Sequence, residues 1–155
     1  MNDRFIKKLW HTNRKIFLKE FSILQTINSD GNVEHTYFEY NHKTQNLERL
    51  SSCQIKEIDC TGLKDKNGKL IFEGDVAKAL SKPDREGCFS EWLGVTVYNT
   101  ENCQFQFKVE KYKFMGEGSL NTYPCHHYID FIEIDNIEIV GNIYENEDLL
   151  KCENQ

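Results

Sequence analysis

Thr61-Gly62-Leu63-Lys64-Asp65-Lys66-Asn67-Gly68-Lys69-Leu70-Ile71-Phe72-Glu73-Gly74-Asp75-Val76-Ala77 packs two turn signals into one short stretch. Asn67-Gly68 accepts the positive φ angles of a tight hairpin turn, because glycine has no Cβ to clash in that conformation. Gly74-Asp75 marks a second bend, leading into Val76 to Leu80. The stretch reads as two closely spaced turns joining short strands. Turn chemistry is the commoner use of such residues, so the stretch reads as structural and not as a ligand loop. Gly68-Lys69 lacks the upstream glycine spacing of a phosphate-binding loop. Glu73 and Asp75, two apart around Gly74, read as a solvated turn in which Asp75 accepts from nearby backbone N–H groups, and not as a carboxylate pair.

The same strand-and-turn grammar runs outward in both directions. On the C-terminal side, Trp92 to Tyr98 alternates through Val95 and Val97, Asn99 to Asn102 turns the chain, and Phe105 to Val109 alternates again. Ser81 to Ser90, with Pro83 and Gly87, is read as a loop, and Met115 to Pro124 as Gly-rich and irregular. Tyr128 to Ile134 and Ile137 to Ile143 give two last strands bent at Asp135-Asn136, before a terminal helical turn with Asn146 as N-cap. Gly62, Gly68, Gly74 and Gly141 sit where tight turns or close backbone approach are needed, and Ile71, Val76, Val95, Val97, Ile139 and Ile143 are the expected core. On the N-terminal side, Phe5 to Trp10 and Lys15 to Ile27 flank a polar break at His11 to Arg14. Phe17, Phe21, Leu24 and Ile27 fall at helical spacing, yet β-branched and aromatic content favours strand. Asn28 to Gly31 turns the chain into Val33 to Tyr40, making a hairpin. Leu47 to Ser52 is expected to form a short helical turn before a strand through Ile55, Ile58 and Cys60. The expected division is an N-terminal β-rich lobe over residues 1–60 and a second lobe over residues 61–155.

Composition bounds the function. At 155 residues, 39% apolar and with ten Phe and seven Tyr, the chain has the means to bury a core. No window approaches the roughly twenty apolar residues of a membrane-crossing helix. The N-terminus lacks the apolar core and cleavage site of a secretory signal, so a cytoplasmic location and six free thiols are expected. The net charge of −6 is uneven: residues 1–27 carry six basic and two acidic side chains, residues 130–155 one basic and eight acidic. An acidic balance argues against avid nonspecific nucleic-acid binding.

The stretch Thr61 to Lys69 followed by Phe72 to Val76, together with Glu138-Ile139-Val140-Gly141-Asn142-Ile143-Tyr144-Glu145-Asn146 and Leu149-Leu150, resembles the signature of the YopX family of phage proteins. Arg4-Phe5, Trp10 and Arg14-Lys15-Ile16 are similar to that family's opening segment. The loops around Pro83 and over Met115 to His127 are longer than the family's usual connections. The resemblance implies a mainly β fold with an SH3-like barrel as C-terminal lobe, a smaller hairpin lobe before it and a short C-terminal helix. It also implies an origin in phages and prophages, and no catalytic residue. The motif positions it marks are Thr61, Gly62, Leu63, Asp65, Asn67, Gly68, Glu73, Gly74, Asp75, Gly141, Asn142, Tyr144 and Asn146.

Two constellations bear on chemistry. Cys125-His126-His127 carries zinc-ligating side chains, but neighbours on a strand point to opposite faces, and partners such as Cys103, Cys88 or His11 are needed. A thiol nucleophile there lacks an activating array. No metal or cofactor is expected. Lys7, Lys8, Trp10, Arg14 and Lys15 form the second: basic residues with interleaved rings suit a nucleic-acid surface, while the competing reading is an amphipathic edge strand with rings inward. The leading expectation is a non-enzymatic binding module for a host or phage protein, with nucleic acid the alternative and a zinc or thiol enzyme the weakest. The basic head and acidic tail also predict a homo-oligomer held by charge. Light scattering is expected to show that oligomer dissociating as salt shortens the Debye length from about 10 to about 3 Å; a monomer throughout, or indifference to salt, rejects it.

Overall fold

The computed structural model describes residues 6–82, 89–115 and 122–150, with the side chains of all but 113–115 and 122–127. The fold is mainly β, and no helix in it is long and apolar enough to cross a membrane. Twelve strands are described: β1 (Lys7–His11), β2 (Ile16–Phe17), β3 (Phe21–Ile27), β4 (Val33–Asn41), β5 (Asn46–Leu50), β6 (Ile55–Lys64), β7 (Leu70–Phe72), β8 (Asp75–Ser81), β9 (Phe89–Asn99), β10 (Gln104–Met115), β11 (Thr122–Asp130) and β12 (Ile134–Asn142). Short 3-10 turns, Ser52–Gln54 and Phe131–Glu133, precede β6 and β12. Lys7–Ile58 form one compact unit and the other described residues a second, with β6 passing from one to the other.

In the first unit, β3, β4 and β5 form an antiparallel sheet. The Asn28 turn closes as its residues dictate: Asn28 Oδ1 accepts from the backbone N–H of Asp30 at 3.0 Å and of Asn32 at 2.9 Å, while Gly31 takes φ +82°. The stretch from Lys15 to Ile27 is strand and not helix, but it breaks at Leu18, which turns inward to Leu9 and Tyr37. Leu47 to Leu50 is strand, not the helical turn expected. The free side of β4 needs a hydrogen-bonding partner, and β5 supplies it with Tyr37 opposite Leu50 and Tyr40 opposite Leu47. Leu50 then packs on the Leu9 core. Glu57 closes the unit's polar side, accepting from Tyr37 Oη at 2.8 Å, from Lys7 Nζ at 2.7 Å and contacting His35. Burial alone raises a carboxyl's pKa, yet the hydrogen bonds from Lys7, Tyr37 and His35 hold Glu57 below its ordinary range. Burial and that same carboxylate push the Tyr37 hydroxyl up to about 12.

The second unit is built on a five-stranded antiparallel sheet ordered β11-β10-β9-β8-β12. β11 and β12 are separated only by Phe131–Glu133, yet they occupy opposite edges. So short a link can join the two edges only if the sheet rolls them towards each other, which makes it a half-barrel. Its concave core holds Ile71, Ala77, Ala79, Phe107, Val109, Ile129, Ile134 and Ile137. Of the expected core, Ile71, Val76 and Val95 are buried, whereas Val97, Ile139 and Ile143 are half-buried. The roll needs close approach at Gly94: a Cβ there would lie 2.9 Å from the Phe107 ring that covers it.

Two boundaries differ from expectation. The bend between the last two strands falls at Phe131–Glu133; Asp135-Asn136 instead sit in an irregularity of the β12–β8 pairing, where the register slips between Ile134 and Asn136. Residues 147–150 are a hydrogen-bonded turn and not a helix, because Asn146 is spent on the preceding turn: its N–H donates to Asn142 O at 3.0 Å and its Oδ1 accepts from Asn142 N–H at 3.3 Å. β10 and β11 also run further than expected into the Met115 to Pro124 stretch, leaving residues 116–121 outside the described residues.

Asp65 locks the β6–β7 turn to this sheet. Its Oδ1 accepts from Asn67 N–H at 2.8 Å and Lys69 N–H at 2.9 Å, and its Oδ2 from Ile139 N–H of β12 at 3.3 Å. The residue is 6% exposed. Burial acts to raise its pKa, but the N–H donors of Lys69, Ile139 and Asn67 outweigh it and hold the carboxyl below its ordinary value. Stability drawn from a lowered carboxyl pKa is complete above the unfolded value, near 3.8, and drains away as pH falls through the folded value. Asp65→Asn turns one acceptor into a donor facing donors. Urea unfolding is expected to show a loss of about 1–3 kcal/mol at neutral pH, shrinking as the pH is lowered below 4.

Candidate functional site

The basic residues flagged at the N-terminus do not present an open stacking surface. Trp10 is 3% exposed and lies edge-on to Phe17 at 4.9 Å, so its ring serves the core. Lys7 is paired with Glu57, Arg14 with Glu39 at 2.6 Å, and Lys8 sits 5.6 Å over the Phe17 ring. Lys15 occupies a turn at φ +56°.

The motif residues of the second unit meet one another. Gly68 takes φ +80° in the Asp65 turn, and its N–H donates to Asp65 O at 2.9 Å. Thr61 Oγ1 donates to Ile71 O at 2.9 Å and accepts from Leu63 N–H at 3.0 Å, across the bulge around Gly62 at φ +80°. Asp75 Oδ2 accepts from Phe72 N–H at 2.9 Å, the backbone role read from the sequence. Gly74 O accepts from Ile143 N–H at 2.9 Å, and the Tyr144 ring lies against Gly74, 2.7 Å from where a Cβ would stand. Asn142 Oδ1 accepts from the N–H of Tyr144 at 3.0 Å and of Glu145 at 2.9 Å. The segments 61–75 and 141–146 thus form one interlocked pair of turns.

Cys125-His126-His127 lies on β11, but its side chains fall outside the described residues, as do Cys88 and Cys152. His11 and Cys103, suggested as completing ligands, belong to different units. Among the described residues no group of three or more His, Cys, Asp or Glu side chains is placed to hold a metal ion.

The second unit carries a cleft of about 870 Å³ that the sequence did not announce. One wall comes from β6 and the turn after β7, with Asp59, Thr61, Leu63 and Glu73; the other comes from the β9–β10 turn and the end of β11. Tyr98 and Phe105, opposite each other on β9 and β10, stack edge-on at 5.2 Å. Ile132, 77% exposed on the 3-10 turn, and Leu63, 43% exposed, add apolar surface. Asp130 accepts at Oδ1 from Gln104 Nε2 at 2.8 Å and Gln106 Nε2 at 2.6 Å, and Gln106 Oε1 in turn accepts from Asn99 Nδ2 at 2.8 Å. Cys103, at φ +52°, and Cys60 also line the cleft. Among the described residues, no lysine, arginine or histidine does.

These residues come from segments more than seventy positions apart at the extremes, Asp59 and Ile132, so periodicity has no hold on them. The available signal was Phe131-Ile132: two adjacent large apolar residues at the end of a strand cannot both face inward.

The YopX protein family profile matches residues 8–151. The chain belongs to the YopX family. No curated protein matches it. Among solved structures, it is similar to protein EF1440 from Enterococcus faecalis, at 23% identity and a TM-score of 0.51, over 94% of this chain and 96% of that one. At that identity the likeness speaks for the fold alone.

The thiols offer a check on the cleft. Cys53 and Cys103 are exposed free thiols and Cys60, 2% exposed, is a buried one. Brief alkylation of the native YopX-family chain, read by peptide mass spectrometry, is expected to label Cys103 and Cys53 and to reach Cys60 only after denaturation.

Proposed function

We propose that this protein is a non-enzymatic binding module of phage or prophage origin, that its second unit is a small SH3-like barrel, and that it holds a partner protein in the cleft between β6 and the β9–β10 turn. The observation carrying this reading is the cleft's lining, in which exposed Tyr98, Leu63 and Ile132 stand together with carboxylates. An apolar surface gathered in a concavity and rimmed by charge is the usual form of a protein-recognition site. Among the described residues, no histidine lines the cleft beside its two thiols, which favours recognition over thiol chemistry. A nucleic-acid role for the N-terminal unit is the second reading. It is disfavoured by the buried Trp10 ring and by the carboxylate partners of Lys7 and Arg14.

Ile132→Glu places a charge at the most exposed apolar point of the cleft, where substitution alters stability by no more than about 0.5 kcal/mol. Capture from host lysates is to be compared for the native chain, Ile132→Glu, and a control on the first unit, Leu24→Glu. The expected result is a protein partner retained by the native chain and the control and lost with Ile132→Glu at unchanged melting temperature. Partners indifferent to Ile132→Glu, or recovery of nucleic acid that is stripped steeply by salt, overturn the reading.

A further inference from the structure

We infer that β3 is the seam of a homodimer, in which the Phe21–Ile27 strands of two copies pair antiparallel across a twofold axis at Leu24. The cleft lies in the other unit, so this inference and the cleft reading stand or fall separately.

The first unit, Lys7–Ile58, is described at every residue. Its three-stranded sheet leaves β3 at one edge. Bonds at both ends of the β3–β4 ladder join even-numbered residues: Asn28 N–H donates to Asn32 O at 2.9 Å, and Tyr40 N–H donates to Glu20 O at 3.3 Å. The register between them is unbroken, so alternation gives Ser22, Leu24 and Thr26 to β4 as well. Phe21, Ile23, Gln25 and Ile27 therefore turn their backbone N–H and C=O groups away from β4, and no described residue bonds them there.

An open edge invites another strand, and folded proteins blunt it with charge, proline, a bulge or a covering segment. β5, the far edge of the same sheet, carries Glu48 and Arg49. The β12 edge of the second unit is covered by the Asp65 turn, where Lys66 N–H donates to Ile137 O at 2.9 Å and Asp65 accepts from Ile139 N–H. β3 has none of these devices: Phe21-Ser22-Ile23-Leu24-Gln25-Thr26-Ile27 contains no charge, proline or glycine, and its pairing has no bulge. Leu24, 53% exposed, and Ile27, 73% exposed, project from opposite faces of the strand. An added strand covers both at once, whereas a partner lying on one face of the sheet covers only one.

A second copy of the same strand fits this edge. Uncharged along its length, β3 meets its own image without like charges opposite each other. Full overlap sets Phe21 opposite Ile27 and Ile23 opposite Gln25, so that every outward residue exchanges bonds, and it sets Leu24 against its own counterpart. The same overlap brings Lys19 of each copy to the Asn28–Gly31 turn of the other, which carries Asp30; both side chains are exposed. The pairing is isologous and consumes the β3 edge of both copies, so it closes at two. Backbone bonds and apolar contact hold it, and exposed ion pairs at its rim add little. It therefore differs from the charge-held oligomer expected from the sequence in persisting when salt shortens the Debye length to about 3 Å.

The test is sedimentation equilibrium of the full chain, at concentrations up to about 1 mM and at low and high salt. The native chain is expected to pass from monomer to dimer mass as its concentration rises, at either salt. Gln25→Pro removes an outward N–H that β4 does not use, and an edge strand accepts proline at such a position. It is expected to raise the dimer's Kd about tenfold or more, with the melting temperature little changed. Leu24→Glu and Leu24→Lys each set like charges across the axis; each is expected to be monomeric alone, and the two are expected to dimerise when mixed. Should Gln25→Pro unfold the chain, the Leu24 variants decide alone. A native chain that is monomeric at every concentration, a dimer that salt dissociates or that survives these substitutions, a larger assembly, or a Leu24 mixture that stays monomeric overturns the inference. So does a β3 whose amides gain hydrogen-exchange protection only when host lysate is added, a result that assigns the edge to a foreign strand.

Discussion

A buried carboxylate is the point on which the second unit depends. Asp65 gathers three backbone N–H groups, two from its own turn and one from β12, a strand more than seventy residues further along the chain. A turn that closes on itself is local and weakly specified, whereas a turn whose cap is also a partner of a distant strand fixes register. Sliding β12 by one residue would take Ile139 N–H away from Asp65 and move Ile134 and Ile137 off the core side of the sheet. Hydrogen-bond satisfaction and hydrophobic burial therefore select the same alignment.

Around that lock the glycines act by what they lack. Gly94 lets the Phe107 ring lie over a neighbouring strand, and Gly74 gives the Tyr144 ring a seat while its own carbonyl accepts from Ile143. Both contacts bring backbone, in a strand at Gly94 and in a turn at Gly74, closer to an aromatic face than any side chain would permit.

The parts of this architecture that were legible in the sequence are those fixed by residues close together. Asn28 to Gly31, Asn67-Gly68 and Gly74-Asp75 each turn the chain where their backbone freedom and side-chain acceptors require, and the alternation through Val95 and Val97 marks β9 correctly. What failed was decided at a distance. Leu47 to Leu50 became a strand because β4 had an open edge, and the bend before β12 moved to Phe131 because the register beside β8 absorbs Asp135 as an irregularity. Asn146, a sound N-cap by type, was already committed to Asn142. The cleft was the least legible, since Asp59, Glu73, Tyr98 and Asp130 share no segment and line one cleft only in the folded chain.

The two walls of that cleft have different obligations. Thr61, Leu63 and Glu73 belong to the interlocked turns, so their backbone cannot shift without disturbing the Asp65 lock. Tyr98 and Phe105 sit towards the tip of the β9–β10 hairpin and Ile132 on the 3-10 turn, where Tyr98 and Ile132 are exposed side chains. Evolution can therefore rewrite the second wall while leaving the first as a fixed frame. A few surface codons can in this arrangement alter the shape and charge of the cleft, with the folding instructions untouched.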